Sequence, residues 1–517
     1  MLISDIVRRN AQYFGDRDAI VVPGQGSTTW AELDVASNQM ARLFLDLGLQ
    51  KGDRVATYAG NCREFIEFFF ACAKSGVIGS TTNIRLAASE LSSYLNYVEP
   101  AAILVQAELA PQAQWVSEVE SIRHVIGIGE GHGFELDLAT AMAAQDKTEL
   151  GCTVFDTDTY QLGATSGTTG IPKAAVLSHR NAMASLMCWT AEMPDPGEGT
   201  NLQNIPLFFN PGGVSGIHPV LLKGGRSVIF PAFDPATFLR AVPEYGVTHS
   251  IMVPTMIGMV LSHPECEDHD LSSLIAIGCG GSPIPREILA RGKEVFGDVF
   301  HPMYGMAESY SCGLALRKHD QFTEGTEDQV RRLGSAGKPH LLVNLRVVDE
   351  GGQDITHDNT AVGEIWLRGD PISSGYFEMA EETAASHSGE WFRTGDLATV
   401  DDGGFVTIVD RLKDIIITGG INVFSVEVER ALYAHPAVAQ AAVIGVPHPK
   451  WGEAIHAVVV LAPGESIEPD ELIAFAAERL APFKKPRSLQ VVDALPVGGT
   501  GKILKKELRM QHQKVVE

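Results

Sequence analysis

Thr165-Ser166-Gly167-Thr168-Thr169-Gly170-Ile171-Pro172-Lys173 places four hydroxyls, two glycines and a lysine within nine consecutive positions. Glycine lacks a Cβ, so the backbone here can turn sharply and bring its N–H groups close to a ligand. Successive N–H groups in such a turn form an anion-binding concavity, and hydroxyls add donors. Lys173 adds a mobile point charge at the far end. The ligand that fits is a polyphosphate. Pro172 stiffens the exit, and Ala174-Ala175-Val176-Leu177 reads as a short buried strand. A Ser/Thr-rich surface loop is the bland alternative. The kinase-type phosphate loop is excluded, because Gly-x-x-x-x-Gly-Lys-Ser/Thr occurs nowhere in the chain.

Outward from this loop, the chain is long enough, at 517 residues, for several domains. Its apolar fraction of 45% and charged fraction of 20% are those of a globular protein. A net charge of −24 argues against sequence-independent nucleic-acid binding, which needs a positive field. The seven cysteines are scattered and contain no Cys-x-x-Cys pair. That argues against a disulfide framework or a structural zinc site. The N-terminus has no continuous apolar run and no stretch approaches a membrane span, so a cytoplasmic location is expected.

Residues 18–130 alternate apolar strands with amphipathic helices, the pattern of a layered α/β architecture with parallel strands. Thr29-Trp30-Ala31-Glu32 matches a capping box and predicts a helix ending at Gly48. Gly127, Gly129, Gly131 and Gly133 miss the dinucleotide-binding spacing and read as a surface turn. Residues 200–310 repeat the α/β scheme, with a strand expected at Val299–Met303. Residues 340–410 turn to short β runs separated by Gly/Asp turns, a small antiparallel sheet or barrel. After Arg411 the pattern restarts in a βαβ-like order, which sets a boundary at 410–413.

Tyr304-Gly305-Met306-Ala307-Glu308 is expected just after its strand. A tyrosine face can stack on a purine, and a carboxylate beside a polyphosphate suits Mg²⁺. Trp391-Phe392-Arg393-Thr394-Gly395-Asp396 reads as a tight turn between two strands, its acid able to accept from ribose hydroxyls. Asp410-Arg411-Leu412-Lys413-Asp414 is charge-dense at the boundary, and Gly498-Gly499-Thr500-Gly501-Lys502 is a glycine-rich tip with one lysine.

Taken in order, T-S-G-T-T-G-x-P-K (165–173), Y-G-x-x-E (304–308), G-E-I-W-L-R-G (363–369), T-G-D (394–396), D-R-x-K-D (410–414), G-G-x-N-V-x-x-x-E-V-E (419–429) and G-K-I (501–503) resemble the adenylate-forming superfamily of acyl- and aryl-CoA synthetases. The resemblance runs along nearly the whole chain. It implies an α/β fold: a large N-terminal domain of layered α/β sheets with a small β-barrel-like subdomain over 1–410, and a small mobile C-terminal α+β domain over 411–517. It implies an ATP-dependent acid–thiol ligase in which a carboxylate attacks the α-phosphate of ATP, and CoA then takes the acyl group. Thr165, Ser166, Gly167, Thr168, Thr169, Gly170 and Lys173 would hold phosphates. Tyr304, Gly305, Met306 and Ala307 would lie along the adenylate. Asp396 and Arg411 would hold ribose, and Glu308 would carry Mg²⁺. Lys502 would bridge the attacking carboxylate and the α-phosphate. Lys413 matches the family's hinge. Gly419, Gly420 and Trp451, within the 448–453 segment, would meet CoA.

The acyl pocket implied is Phe208, Phe209, Val214, Gly280, Gly281 and Met306, with Met252 and Met256 nearby. It is apolar and shows no clear cationic partner for a second carboxylate. A hydrophobic monocarboxylic acid is expected, a fatty acid first and an aromatic, alicyclic or steroid side-chain acid next. A carrier-protein acceptor is the alternative to CoA. Homodimerisation stays open. Two departures from the family pattern stand out: Phe209 where relatives carry histidine, and Ala307 where many carry threonine.

Overall fold

Helix Trp30–Asp46 begins at the capping box read from the sequence: Glu32 N donates to Thr29 Oγ1 and Thr29 N donates back to Glu32. Two orphan donors of the first turn are thereby satisfied. Against it packs helix Arg63–Ser75, whose Phe65, Phe68, Phe69 and Phe70 are all buried. Every residue from Phe65 to Ser75 is buried, so this helix lies inside the core. Its one buried cation, Lys74, bonds Asp34 at 2.5 Å and Asn38 at 2.7 Å.

The computed structural model describes all residues except 166–171, 195–196, 210–216, 218, 283, 463, 497–502 and 513–517, and the side chain of residue 287. The chain forms two compact units, Met1–Gly325 with Pro339–Asn344 and Leu367–Phe392, and Thr326–Lys338 with Leu345–Trp366 and Arg393–Glu517.

The first unit contains two α/β sheets. One runs in the order Leu136–Asp137, His124–Ile128, Ala102–Gln106, Arg54–Tyr58, Ile78–Thr81, Thr159–Ala164, Ala174–Ser178, parallel except for the last pair. In the other, Phe300–Tyr304, Ala276–Cys279, His249–Met252, Thr200–Gln203, Arg226–Ile229 and Asp18–Val22 are successive parallel neighbours, with antiparallel Gly26–Thr29 beyond Asp18–Val22. Parallel strands covered by helices explain the near-continuous apolar runs in the sequence. Gly129, Gly131 and Gly133 are an exposed turn after His124–Ile128, as expected, whereas Gly127, read as part of that turn, is buried within the strand and paired with Val105.

In the second unit, strand Trp391–Val400 pairs antiparallel with Val406–Arg411. The tight turn expected at 391–396 is therefore corrected: Asp396 lies within a ten-residue strand. The β-branched and aromatic residues on both sides favour extension. Gly395, at φ +72°, and a register shift after Leu397 absorb the irregularity as a bulge. The C-terminal sheet follows the order Ile421–Val423, Ile416–Thr418, Gly452–Leu461, Val438–His448, with Ser488–Val491 parallel to Gly452–Leu461. Helix Pro469–Ala477 connects that parallel pair, a true βαβ unit. His448–Glu453 is the tip of a long hairpin, with His448 opposite Gly452.

The last helix, Lys505–Gln511, is bonded to the start of this C-terminal part. Lys505 reaches Ser425 at 2.6 Å and Glu429 at 2.7 Å, and Arg509 reaches Asp414 at 2.7 Å. Asp410 accepts from both the backbone and the hydroxyl of Ser425. Burial pushes the Glu429 and Asp410 carboxyls up, and the Lys505 charge opposes this.

Candidate active site

The sequence-selected residues of the first unit follow the C-terminal ends of parallel strands. Thr165 follows Thr159–Ala164, Phe208 comes after Thr200–Gln203, Met252 ends its strand, Gly280 follows Ala276–Cys279, and Met306 comes after Phe300–Tyr304. Ligands of open α/β sheets bind at this edge. Tyr304 is the last residue of its strand rather than the first beyond it, since it pairs with Leu314.

Thr165 N donates to Lys173 O at 2.8 Å, so the two ends of the glycine-hydroxyl loop are tied together. Ser166, Gly167, Thr168, Thr169 and Gly170 lie outside the described residues, as do Val214 and Lys502. Beyond Lys173, strand Ala174–Ser178 is extended on its free side by 373–377. Val176 N donates to Gly375 O, Phe377 N donates to Ala174 O, and Ala175 bridges to Tyr376. This pairing brings in Tyr376, which the sequence reading did not select. Its hydroxyl donates to Glu308 Oε1 at 2.8 Å, and its ring lies 4.7 Å from Lys173 Nζ. Burial, then the Glu308 charge, raises the Tyr376 pKa far above the usual phenol range, so it stays a donor. Ser373 N donates to Glu308 O, fixing the backbone of the acid as well. Tyr376 thus touches both a lysine and a carboxylate.

The loop holding Glu308 stores strain. Tyr310 and Ser311 have φ of +51° and +62°, left-handed values that cost non-glycine residues about 1–2 kcal/mol each. They are held there by Tyr310 Oη donating to Gln161 at 2.7 Å, Ser185 donating to Tyr310 O at 2.7 Å, and Trp189 Nε1 donating to Ser311 O at 3.3 Å. Gly305 is required by this fold-back: a Cβ there would lie 2.3 Å from the Ser311 carbonyl carbon. Gly305→Ala is expected to destabilise the protein by about 1–3 kcal/mol through overpacking. Nucleotide affinity should fall at least tenfold alongside. Thermal melting and nucleotide titration of the same variant check both.

Phe208 and Phe209 meet edge to face, with ring centroids 4.6 Å apart. The Phe208 carbonyl accepts from Thr81 Oγ1 at 3.0 Å, anchoring the pair to a neighbouring strand end. Met252 is fully buried, Gly280 packs against the Met303 carbonyl, and exposed Gly281 has φ +87°. The expectation of no cation here needs amendment: the exposed Arg85 guanidinium lies 5.6 Å from the Phe209 ring.

In the second unit Asp396 and Arg411 are directly opposed across the sheet, and their side chains pair at 3.2 Å. The carboxylate is buried and the guanidinium is half-exposed. Lys413 follows two residues on, exposed, beside Asp414. Gly419 and Gly420, at φ +61° and +80°, form the two-residue turn between paired Thr418 and Ile421. Two positive φ values in a hairpin turn demand residues such as glycine. Gly419 N donates to Trp451 O at 2.8 Å. The Trp451 ring stacks on His448, and the Arg487 guanidinium sits 4.4 Å from its centroid. Arg487 was not legible as a neighbour of Trp451 from sequence.

The family profile for AMP-binding enzymes matches residues 7–377, and that for the AMP-binding enzyme C-terminal domain matches residues 427–502. The chain belongs to the AMP-binding enzyme family. This AMP-binding enzyme is 36% identical over 94% of its length to a feruloyl-CoA synthase of Amycolatopsis sp, of which 94% is covered. It is 32% identical to a 3-methylmercaptopropionyl-CoA ligase of Ruegeria lacuscaerulensis, over 98% of this chain and 97% of that one. Among solved structures it resembles the anthranilate CoA ligase AuaEII in complex with anthranoyl-AMP, with a TM-score of 0.90 and 25% identity, over 99% and 97% of the two chains. Among the described residues, no helix of this AMP-binding enzyme is long and apolar enough to cross a membrane.

Proposed function

We propose that this AMP-binding enzyme is an acyl-CoA synthetase that activates a hydrophobic monocarboxylic acid through an acyl-adenylate. The observation that carries the reading is the Lys173–Tyr376–Glu308 cluster at the C-terminal edge of the parallel strands. It sets a cation from the phosphate-binding loop and an anchored carboxylate within reach of one polyphosphate.

In the first half-reaction the acid's oxygen attacks the α-phosphorus of ATP and pyrophosphate leaves. Residues 165–173 would donate to the β- and γ-phosphates. Asp396, neutralised in part by Arg411, would accept from ribose hydroxyls. Lys502 would stabilise negative charge gathering between the carboxylate and the α-phosphate. Glu308 fits Mg²⁺: Tyr376 occupies Oε1, and Oε2 makes no hydrogen bond among the described residues. Such an ion, bound by one carboxylate plus phosphates and water, offsets phosphate charge. In the second half-reaction a thiol attacks the acyl carbonyl and AMP leaves. Gly419 and Gly420 would border the pantetheine arm, and Arg487 beside Trp451 would meet phosphate of CoA. Lys413 would be the pivot between the two steps, with 411–517 as the domain that turns.

Tyr376→Phe removes the donor that orients Glu308. The Mg²⁺ concentration for half-maximal adenylation should rise about tenfold, as for other groups that hold a ligand in place. The melting temperature should stay near wild type.

A fatty acid is the first reading for the substrate. An aromatic acid is the second, favoured by the edge-to-face Phe208–Phe209 pair and by similarity to a feruloyl-CoA synthase. The test is pyrophosphate release with ATP, Mg²⁺ and a panel of fatty, aryl and dicarboxylic acids, each with and without CoA. Turnover requiring CoA and yielding AMP and a thioester supports the proposal. An adenylate that accumulates unchanged by CoA would point instead to a carrier-protein acceptor. Preference for a dicarboxylate would assign Arg85 to substrate.

A further inference from the structure

Three chemistry-bearing side chains stand together in the first unit, away from the groups used above. Cys188 lies on helix His179–Glu192, Cys312 follows the strained loop that ends at Ser311, and His340 follows the short strand Lys338–Pro339. Their ligand atoms all lie within 4.8 Å of one another. All three are buried, with His340 2% exposed and both cysteines fully enclosed. Among the described residues neither His340 ring nitrogen has a hydrogen-bond partner, although the carbonyls of Cys188 and Leu314 approach the ring. An unsatisfied buried polar group costs about 1–3 kcal/mol and calls for a water, an ion or a chemical role.

Burial pushes the imidazole pKa down to about 4, so its lone pair is available at neutral pH. Two sulfurs and an imidazole nitrogen are a borderline-soft donor set, which selects zinc-class ions over magnesium or calcium. Two thiolates and a neutral imidazole balance a divalent ion and leave no net charge in the core. The neighbouring Glu192 carboxylate is already neutralised by Arg317 through bonds of 2.7 and 2.9 Å.

We infer that Cys188, Cys312 and His340 form a site for a divalent zinc-class cation. On binding, two sulfur–metal bonds form and both thiol protons pass to solvent. Around an ion with metal–sulfur bonds of about 2.3 Å, ligand atoms stand roughly 3.5–3.8 Å apart, so no pair needs to close by more than about 1.3 Å. That contraction fastens Cys312, and with it the end of the 304–311 loop, to helix His179–Glu192.

The experiment uses the full chain, reduced and stripped with a chelator, then titrated with Cd²⁺ as a spectroscopic probe. One thiolate-to-cadmium absorption per chain, displaced by Zn²⁺, is expected. It should vanish in Cys188→Ala and Cys312→Ala, weaken at least tenfold in His340→Phe, and persist in Cys279→Ser, a buried cysteine outside the cluster. Zinc-edge X-ray absorption of the wild-type chain needs no variant, and two sulfur scatterers are expected. An absorption that survives loss of both cysteines, no stoichiometric cadmium, or a zinc shell without sulfur overturns the site.

Discussion

Lys502→Ala should lower acyl-adenylate formation from acid and ATP by about 10²- to 10³-fold, the usual loss when a donor to transition-state charge is removed. The same variant should convert a pre-formed acyl-adenylate and CoA to thioester at near the wild-type rate. The asymmetry follows from where charge develops. In the first half-reaction a carboxylate and a phosphate, both anionic, approach one another, and a lysine between them relieves the repulsion most as they react. In the second, a thiolate meets a carbonyl and the phosphate departs as a leaving group, so the lysine has no matching task. Single-turnover assays of each half-reaction separate the two. Equal loss in both would refute the division of labour and return Lys502 to a structural role.

Glu308→Gln should reduce adenylation by about 10²-fold, and extra Mg²⁺ should recover only part of it. Glu308 is held at two points, its carboxylate by Tyr376 at Oε1 and its backbone carbonyl by Ser373 N. An amide keeps the shape and the acceptor for Tyr376 while removing the charge. A charge-assisted contact is roughly twice as strong as a neutral one, and loss of a buried charged partner costs about 1.5–3 kcal/mol. The fold should be preserved, because no buried cation is left unpaired. Rates measured against Mg²⁺ concentration test this, and an unchanged profile would remove the metal role from Glu308. Read beside Tyr376→Phe, the pair of variants tells ligand from support: the glutamine loses rate at saturating Mg²⁺, the phenylalanine loses chiefly apparent affinity.

The layered α/β fold was legible because its signals are local. The capping box at Thr29 and the phenylalanine-rich 65–70 run each announce their element within a few residues. What escaped was non-local. Tyr376 reaches Glu308 only because 373–377 pairs with the edge strand Ala174–Ser178, and no short pattern announces a pairing so distant in sequence. Arg487 beside Trp451 and Arg85 beside Phe209 are the same kind of neighbour. The misread element 391–396 shows a local signal overruled. Thr-Gly-Asp looks like a turn, yet pairing with Val406–Arg411 extends the strand through it and leaves Gly395 to take the positive φ. Burial of His340 without a partner was likewise invisible, since nothing near residue 340 in sequence contains a cysteine.

The bonds made by the final helix have a mechanical meaning. Lys505 and Arg509 fasten it to Ser425, Glu429 and Asp414, within a dozen or so residues of the proposed pivot. The helix that follows Lys502 in sequence is therefore braced against the domain rather than trailing from it. Turning at Lys413 would carry this helix and the Gly419–Gly420 turn as one body, so the same swing that withdraws Lys502 would bring that turn in.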